Sequence, residues 1–120
     1  MKVVLFGATG MIGQGVLREC LLDPAVDLVV SVGRSSCGQA HPKLKELVHS
    51  DLLDLRAIEP ELTGLDACFF CLGVSSAGLS EEAYHQVTYG LTLAVAGTLS
   101  RLNPAMTFIP AKQSELPVSA

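Results

Sequence analysis

Apolar residues run along this chain in two rhythms: short unbroken stretches, and longer stretches in which they recur every three or four positions. Val3-Val4-Leu5-Phe6 is the first unbroken run, and Lys2–Phe6 reads as a buried strand. Met11–Leu22 follows, with Ile12, Val16 and Cys20 at i, i+4 and i+8. That spacing predicts a helix with one apolar face, ended by Asp23-Pro24. Leu28–Val32 is a second strand, apolar except for Ser31. Gly33, Gly38 and Pro42 interrupt the next stretch, which leaves room only for a short helix near Lys43–Leu47. Leu47–His49 opens a third strand ending at Asp51, and Ala67–Leu72 is a fourth. Ser80 reads as an N-cap, with Glu81 and Glu82 in the first turn, where negative charge suits the helix dipole. That helix extends to about Leu102, with Gly90 the place for a bend, and Met106–Ile109 is a fifth strand.

Continuously apolar strands separated by helices predict a parallel sheet covered on both faces. Right-handed crossovers then favour an α/β doubly wound sheet of order 3-2-1-4-5. A ligand would lie across the carboxyl ends of strands 1 and 4, where the order reverses. From Pro110 to Ala120 the pattern stops, and Lys112, Gln113, Ser114, Glu115 and Pro117 read as a polar tail.

The junction of first strand and first helix carries the candidate chemistry. Residues 7–13 read Gly-Ala-Thr-Gly-Met-Ile-Gly. A strand running into a glycine-rich turn that starts a helix aims unpaired N–H groups and a positive dipole end at one spot, which suits a pyrophosphate. Gly7 permits the tight turn, Gly10 removes a Cβ where a ligand approaches, and Gly13 lets the helix lie close. The spacing is GxxGxxG rather than GxGxxG.

Charge narrows the partners. The formal net charge is −4, so no basic face for nucleic acid is expected and any anion site must be local. No signal peptide and no membrane-spanning run is recognisable, and a soluble, cytoplasmic chain is expected. The four cysteines fit a reducing compartment. Cys68-Phe-Phe-Cys71 matches CxxC in form, but residues three apart on a strand face opposite sides, and buried strand cysteines are the better reading. His41 and His49 have no ligand-like spacing, so no metal is expected. His85 reads as a solvent-facing helix residue, and Ser75 and Ser76 as a connecting loop after the fourth strand.

The second strand ends Ser31-Val-Gly-Arg-Ser35, without the carboxylate that commonly grips the ribose in NAD sites. Arg34 can give a 2′-phosphate charge-assisted bonds and stack on adenine, with Ser35 adding a donor. NADP is therefore the expected cofactor, ahead of NAD; the alternative for Arg34 is a solvated loop arginine. Asp51 can accept from the adenine amino group with Leu52 packing nearby, or merely cap the following turn. Leu72-Gly73 either admits ribose and nicotinamide close to the backbone or forms a plain turn.

Taken together, Gly7–Gly13, Val32-Gly-Arg-Ser35, Asp51-Leu52 and Cys71-Leu-Gly73 resemble the N-terminal, Rossmann-like half of an atypical or extended short-chain dehydrogenase/reductase. The resemblance covers about residues 1–109 and is nearest to the NAD(P)-binding epimerase/dehydratase-like group that includes the Tat-interacting protein. It implies that Thr9, Gly10, Met11 and Ile12 line the pyrophosphate, Arg34 selects NADP, and Asp51-Leu52 meets adenine. The superfamily's catalytic Tyr-x-x-x-Lys pair has no counterpart: Thr88 stands four residues after Tyr84, and Leu93 four after Tyr89. The chain thus reads as truncated after the fifth strand, with self-association through an exposed sheet edge at Met106–Ile109 expected. Three readings remain: an NADP-binding domain of oxidoreductase ancestry without catalytic residues of its own, a non-catalytic interaction module that responds to dinucleotide, and a non-functional gene fragment.

Overall fold

The computed structural model describes residues 1–34, 36, 38–71 and 81–110, with side chains over 90–109 in the last stretch. Strand β1 (Lys2–Phe6) leads through a loop into helix α1 (Met11–Leu22), and then come β2 (Leu28–Gly33) and β3 (Leu44–Val48). A 3₁₀ turn over Arg56–Leu62 precedes β4 (Ala67–Phe70), helix α2 (Glu81–Leu102) and β5 (Thr107–Pro110). All strands are parallel, in the order β3-β2-β1-β4-β5. The register sets Val3 against Val29 and Ala67, Val29 against Leu44, and Ala67 against Thr107.

Strand residues alternate between faces, so an unbroken apolar run is tolerated only where both faces are covered. That is the case for β1. Val4 and Phe6 point into a cluster with Val30, Val32, Cys68, Phe70, Leu62, Val95 and Leu99. Val3 and Leu5 point the other way, against Val29, Ala67 and the α1 residues Leu17 and Cys20. One face is thus sealed by α1, the other by α2 and the 3₁₀ turn. Phe6, Phe70 and Phe108 run across the second face as tilted pairs, with ring centroids 5.8 and 5.9 Å apart.

Strand order and helix positions follow the sequence pattern, with three differences. Residues 44–48 form β3, not a short helix, and the strand begins three residues before the expected Leu47. Leu44-Lys-Glu-Leu-Val48 satisfies either period in so short a stretch. The ladder to β2, closed by Val29 N donating to Lys43 O and His49 N donating to Gly33 O (both 2.8 Å), decides it. The buried seam of α1 is Gly13, Leu17 and Cys20, not Ile12, Val16 and Cys20. The helix is turned by about one position because its first turn lies against the preceding loop, and Ile12 and Val16 are half-buried flanks. The 3₁₀ turn, with Pro60 inside it, has no counterpart in the sequence reading. Smaller shifts are confined to strand ends: β2 gains Gly33, β4 closes at Phe70, and β5 starts at Thr107. Helix α2 runs unbroken past Gly90. Ser80, Ser75, Ser76, Cys37 and residues 111–120 lie outside the described residues.

A buried side chain joins the crossover elements. Asn103, just past α2, accepts at Oδ1 from Leu65 N (2.9 Å) and donates from Nδ2 to Leu62 O (2.7 Å). It thereby ties the end of the 3₁₀ turn, the entry to β4 and the exit of α2 into one joint.

Candidate functional site

In a parallel sheet every carboxyl end lies on the same edge. Here that edge collects the loop after β1, the residues after β2, the turn after β3 and Cys71 after β4. The order reverses at β1: β2 and β3 lie to one side of it, β4 and β5 to the other.

Gly7 is buried and adopts φ +91°, a conformation costly for any residue with a Cβ. Gly10 N donates to Gly7 O at 3.2 Å, and Gln14 N donates to Gly10 O at 2.9 Å in the first bond of α1. The N–H groups of Met11, Ile12 and Gly13 therefore have no acceptor within the helix. Nothing competes for them locally: no side chain caps α1, and its first turn holds no acidic residue. Gln14 reaches back, Nε2 donating to Thr9 O at 2.9 Å, and pins the loop to the helix it starts. Thr9 and Gly10 are exposed, and Met11 is 85% exposed. A Cβ at Gly10 would meet only Gly7 O, at 3.7 Å, so the space over Gly10 is open.

Beyond β2, Arg34 is exposed and makes no hydrogen bond or ion pair with another described residue. Ser35 lies outside the described residues. Ser36 Oγ donates to Glu46 Oε1 on β3 (3.2 Å) and accepts from Gly38 N (3.1 Å), which holds this loop against the sheet edge.

The turn after β3 is more tightly organised than its sequence suggests. Asp51 is exposed, and its Oδ1 accepts from Leu53 N at 3.1 Å. Leu52 packs into the core, 9% exposed. His49 Nε2 lies 2.8 Å from Asp51 O and 2.7 Å from Asp54 O. Asp54 in turn makes a two-pronged ion pair with Arg56, Oδ1 to Nε at 2.9 Å and Oδ2 to Nη2 at 2.8 Å, which holds its carboxyl down at about 2. His49 has no side-chain partner in sequence reach, only backbone carbonyls, and pattern reading has no signal for such a contact.

On the fourth arm, Cys71 N donates to Phe6 O at 2.9 Å and carries the β1–β4 pairing to the site's edge. Leu72 and Gly73 lie outside the described residues. Cys68 and Cys71 belong to opposite faces of the sheet, as a strand demands. Burial pushes the thiols of Cys20, Cys68 and Cys71 up, and all three are free. Among the described residues no group of His, Cys, Asp and Glu is placed to hold a metal ion, and no helix is long and apolar enough to cross a membrane.

A five-stranded parallel sheet with a glycine loop entering an uncapped helix at the reversal of strand order defines a Rossmann-type nucleotide-binding domain. The family model for the NAD dependent epimerase/dehydratase family matches residues 3–112, and the chain belongs to that family. No curated protein compared with the chain matches it. Solved structures share its fold. Uronate dehydrogenase from Agrobacterium tumefaciens superposes with a TM-score of 0.69 at 22% identity, over 92% of this chain and 40% of that one. The dTDP-glucose 4,6-dehydratase DesIV from Streptomyces venezuelae, solved with NAD bound, gives 0.71 at 23% identity, over 89% and 38%. A short chain dehydrogenase family protein from Francisella tularensis gives 0.67 at 14% identity, over 99% and 53%. The chain thus spans between about two-fifths and about half the length of these structures.

Proposed function

We propose that this chain binds a nicotinamide dinucleotide, NADP in preference to NAD, with the pyrophosphate over Thr9–Gly13. One observation carries the reading: three N–H groups at the uncapped start of α1 have no acceptor within the helix, the space over Gly10 is open, and that turn holds no acidic side chain. An anion placed there gains hydrogen bonds and dipole attraction together. The residues present therefore fit the group.

Arg34 supports the choice of NADP. It is exposed, uncommitted to any described partner and one residue beyond β2, on the sheet edge that carries Gly7–Gly13. A planar guanidinium suits a 2′-phosphate, and a carboxylate at this point would repel one. Asp51 and the Leu52 backbone are the proposed adenine contacts. Leu72-Gly73 is the proposed approach to the nicotinamide ribose, with Ser35 as an added phosphate donor. When bound, the nicotinamide would supply hydride-transfer chemistry. The chain's own part is to hold and orient the dinucleotide, because no tyrosine in it has a lysine four residues on. Groups for proton transfer typically contribute about 10²–10⁴ in rate, so carbonyl reduction by these 120 residues alone should be far below enzymatic rates.

Calorimetric titration with NADPH and NADH tests the reading. Binding of NADPH at least about tenfold tighter than NADH is expected, from one charge-assisted contact. Absence of binding to either overturns the function, and equal affinities overturn the NADP preference. Steady NADPH oxidation across small aldehydes and ketones at ordinary enzymatic rates would overturn the absence of intrinsic catalysis.

A further inference from the structure

We propose that His49 is a positioning residue that shapes the turn after β3 into a reader of the adenine edge; this rests on the dinucleotide reading above. Carbonyl oxygens only accept, so a ring nitrogen 2.8 Å from Asp51 O and 2.7 Å from Asp54 O must carry its proton and share it between them. The imidazole is therefore held with Nε2–H as donor. Its own backbone is fixed to the sheet, His49 N donating to Gly33 O at the end of β2. The side chain thus ties the turn at two points to the sheet edge.

The clasp has a chemical consequence. It draws two carbonyls of the turn toward the imidazole. Within the turn, Leu53 N is spent on Asp51 Oδ1 at 3.1 Å and Asp54 N on Asp51 O at 3.2 Å. Among the described residues, the Leu52 N–H and Asp51 Oδ2 stand without a partner, beside the equally unpartnered N–H groups of Ser50 and Asp51. The Leu52 side chain is anchored in the core, which holds that N–H from the opposite side. A donor beside an acceptor complements the Watson–Crick edge of adenine, where N1 accepts and the 6-amino group donates. Hypoxanthine presents the reverse, an N1–H donor and a 6-oxo acceptor, and would set donor against donor and acceptor against acceptor. Without the clasp, the Asp54 carbonyl loses its partner and the Asp51 carbonyl keeps only Asp54 N, so the Asp51–Leu52 peptide is held less firmly and the pattern weakens.

The test compares wild type, H49L and H49Q in titrations with NADPH and with its hypoxanthine analogue, alongside thermal unfolding without ligand. Wild type is expected to favour NADPH about tenfold or more, the scale of one lost hydrogen-bonding pair. H49L should lose most of that ratio. H49Q, whose amide N–H can reach the same carbonyls, should retain it. A purely structural role would lower the unfolding temperature of both variants and leave the ratio unchanged, and that result overturns the proposal. Wild type binding neither dinucleotide overturns the parent reading and this one together. Wild type binding both equally overturns this one alone. Ring ¹⁵N spectra of wild type give a reading that needs neither variant nor ligand. A ring carrying a proton at Nε2 is expected, and a ring protonated only at Nδ1 overturns the clasp.

Discussion

Gly13 stands directly against Gly7: a Cβ built on Gly13 falls 1.7 Å from the Gly7 carbonyl oxygen and 2.6 Å from its carbonyl carbon. The obstacle is backbone, so it cannot swing aside as a side chain would. This contact presses the first turn of α1 onto the loop and orients the free N–H groups of Met11 and Ile12. Gly13→Ala should therefore destabilise the fold by at least about 2 kcal/mol. Gly15, on the exposed side of the same helix, has nothing within 4 Å of its built Cβ. Gly15→Ala should instead stabilise by about 0.5–1 kcal/mol, because alanine has less backbone freedom to lose. Urea unfolding of the two variants reads both signs.

Gly10→Val should separate binding from folding. The Cβ meets only one atom, at 3.7 Å, and the backbone angles of −77° and 167° suit a β-branched residue. Its methyl groups would fill the space assigned to the pyrophosphate. Near-native thermal unfolding with loss of NADPH binding is the expected pair of results, and retained binding would remove the phosphate-loop assignment.

Arg34→Ala should reduce NADPH affinity about 10- to 100-fold and leave NADH affinity nearly unchanged, since only NADPH carries the 2′-phosphate. Titration at two salt concentrations adds a check. The preference of wild type should shrink as salt rises, and that of the variant should not.

Asn103→Ala should destabilise by about 2–4 kcal/mol. It leaves the Leu65 N–H and the Leu62 carbonyl without their partner in a buried joint, and each unsatisfied group costs about 1–3 kcal/mol. Denaturant unfolding measures this, and a loss below about 1 kcal/mol would mean water replaces the amide.

Asp54 gives a pH prediction. The hydrogen bonds and charge of Arg56 hold its carboxyl at about 2, below the ordinary 3.8. The folded state therefore binds its proton less readily than the unfolded chain does. Stability from this pair is present above about pH 4 and is lost as pH falls toward 2. The pair is exposed, so the effect is small. Asp54→Asn should lower stability slightly above about pH 4, with the difference from wild type shrinking as pH falls toward 2, as read by unfolding at each pH.

Strand order, the parallel sheet and the glycine loop were legible in the sequence because each rests on a local rule. Val3–Phe6 is apolar at every position, so both faces of that strand must be covered. Gly7, Gly10 and Gly13 follow a strand and open a helix, and few local structures need three such residues there. What stayed hidden depends on partners distant in the chain. Residues 44–48 are too few to distinguish helix from edge strand until β2 offers its ladder. The buried seam of α1 passes through Gly13 because the Gly7 backbone, six residues away, lies against it. Asn103 reads as an ordinary polar residue at a helix end until Leu62 and Leu65 arrive beside it. His49 showed no partner because its partners are the carbonyls of Asp51 and Asp54, which every residue possesses and no sequence pattern marks. Hydrophobic periodicity and backbone sterics are properties of the local chain; the meeting of a side chain with a distant backbone group exists only after the sheet has brought them together.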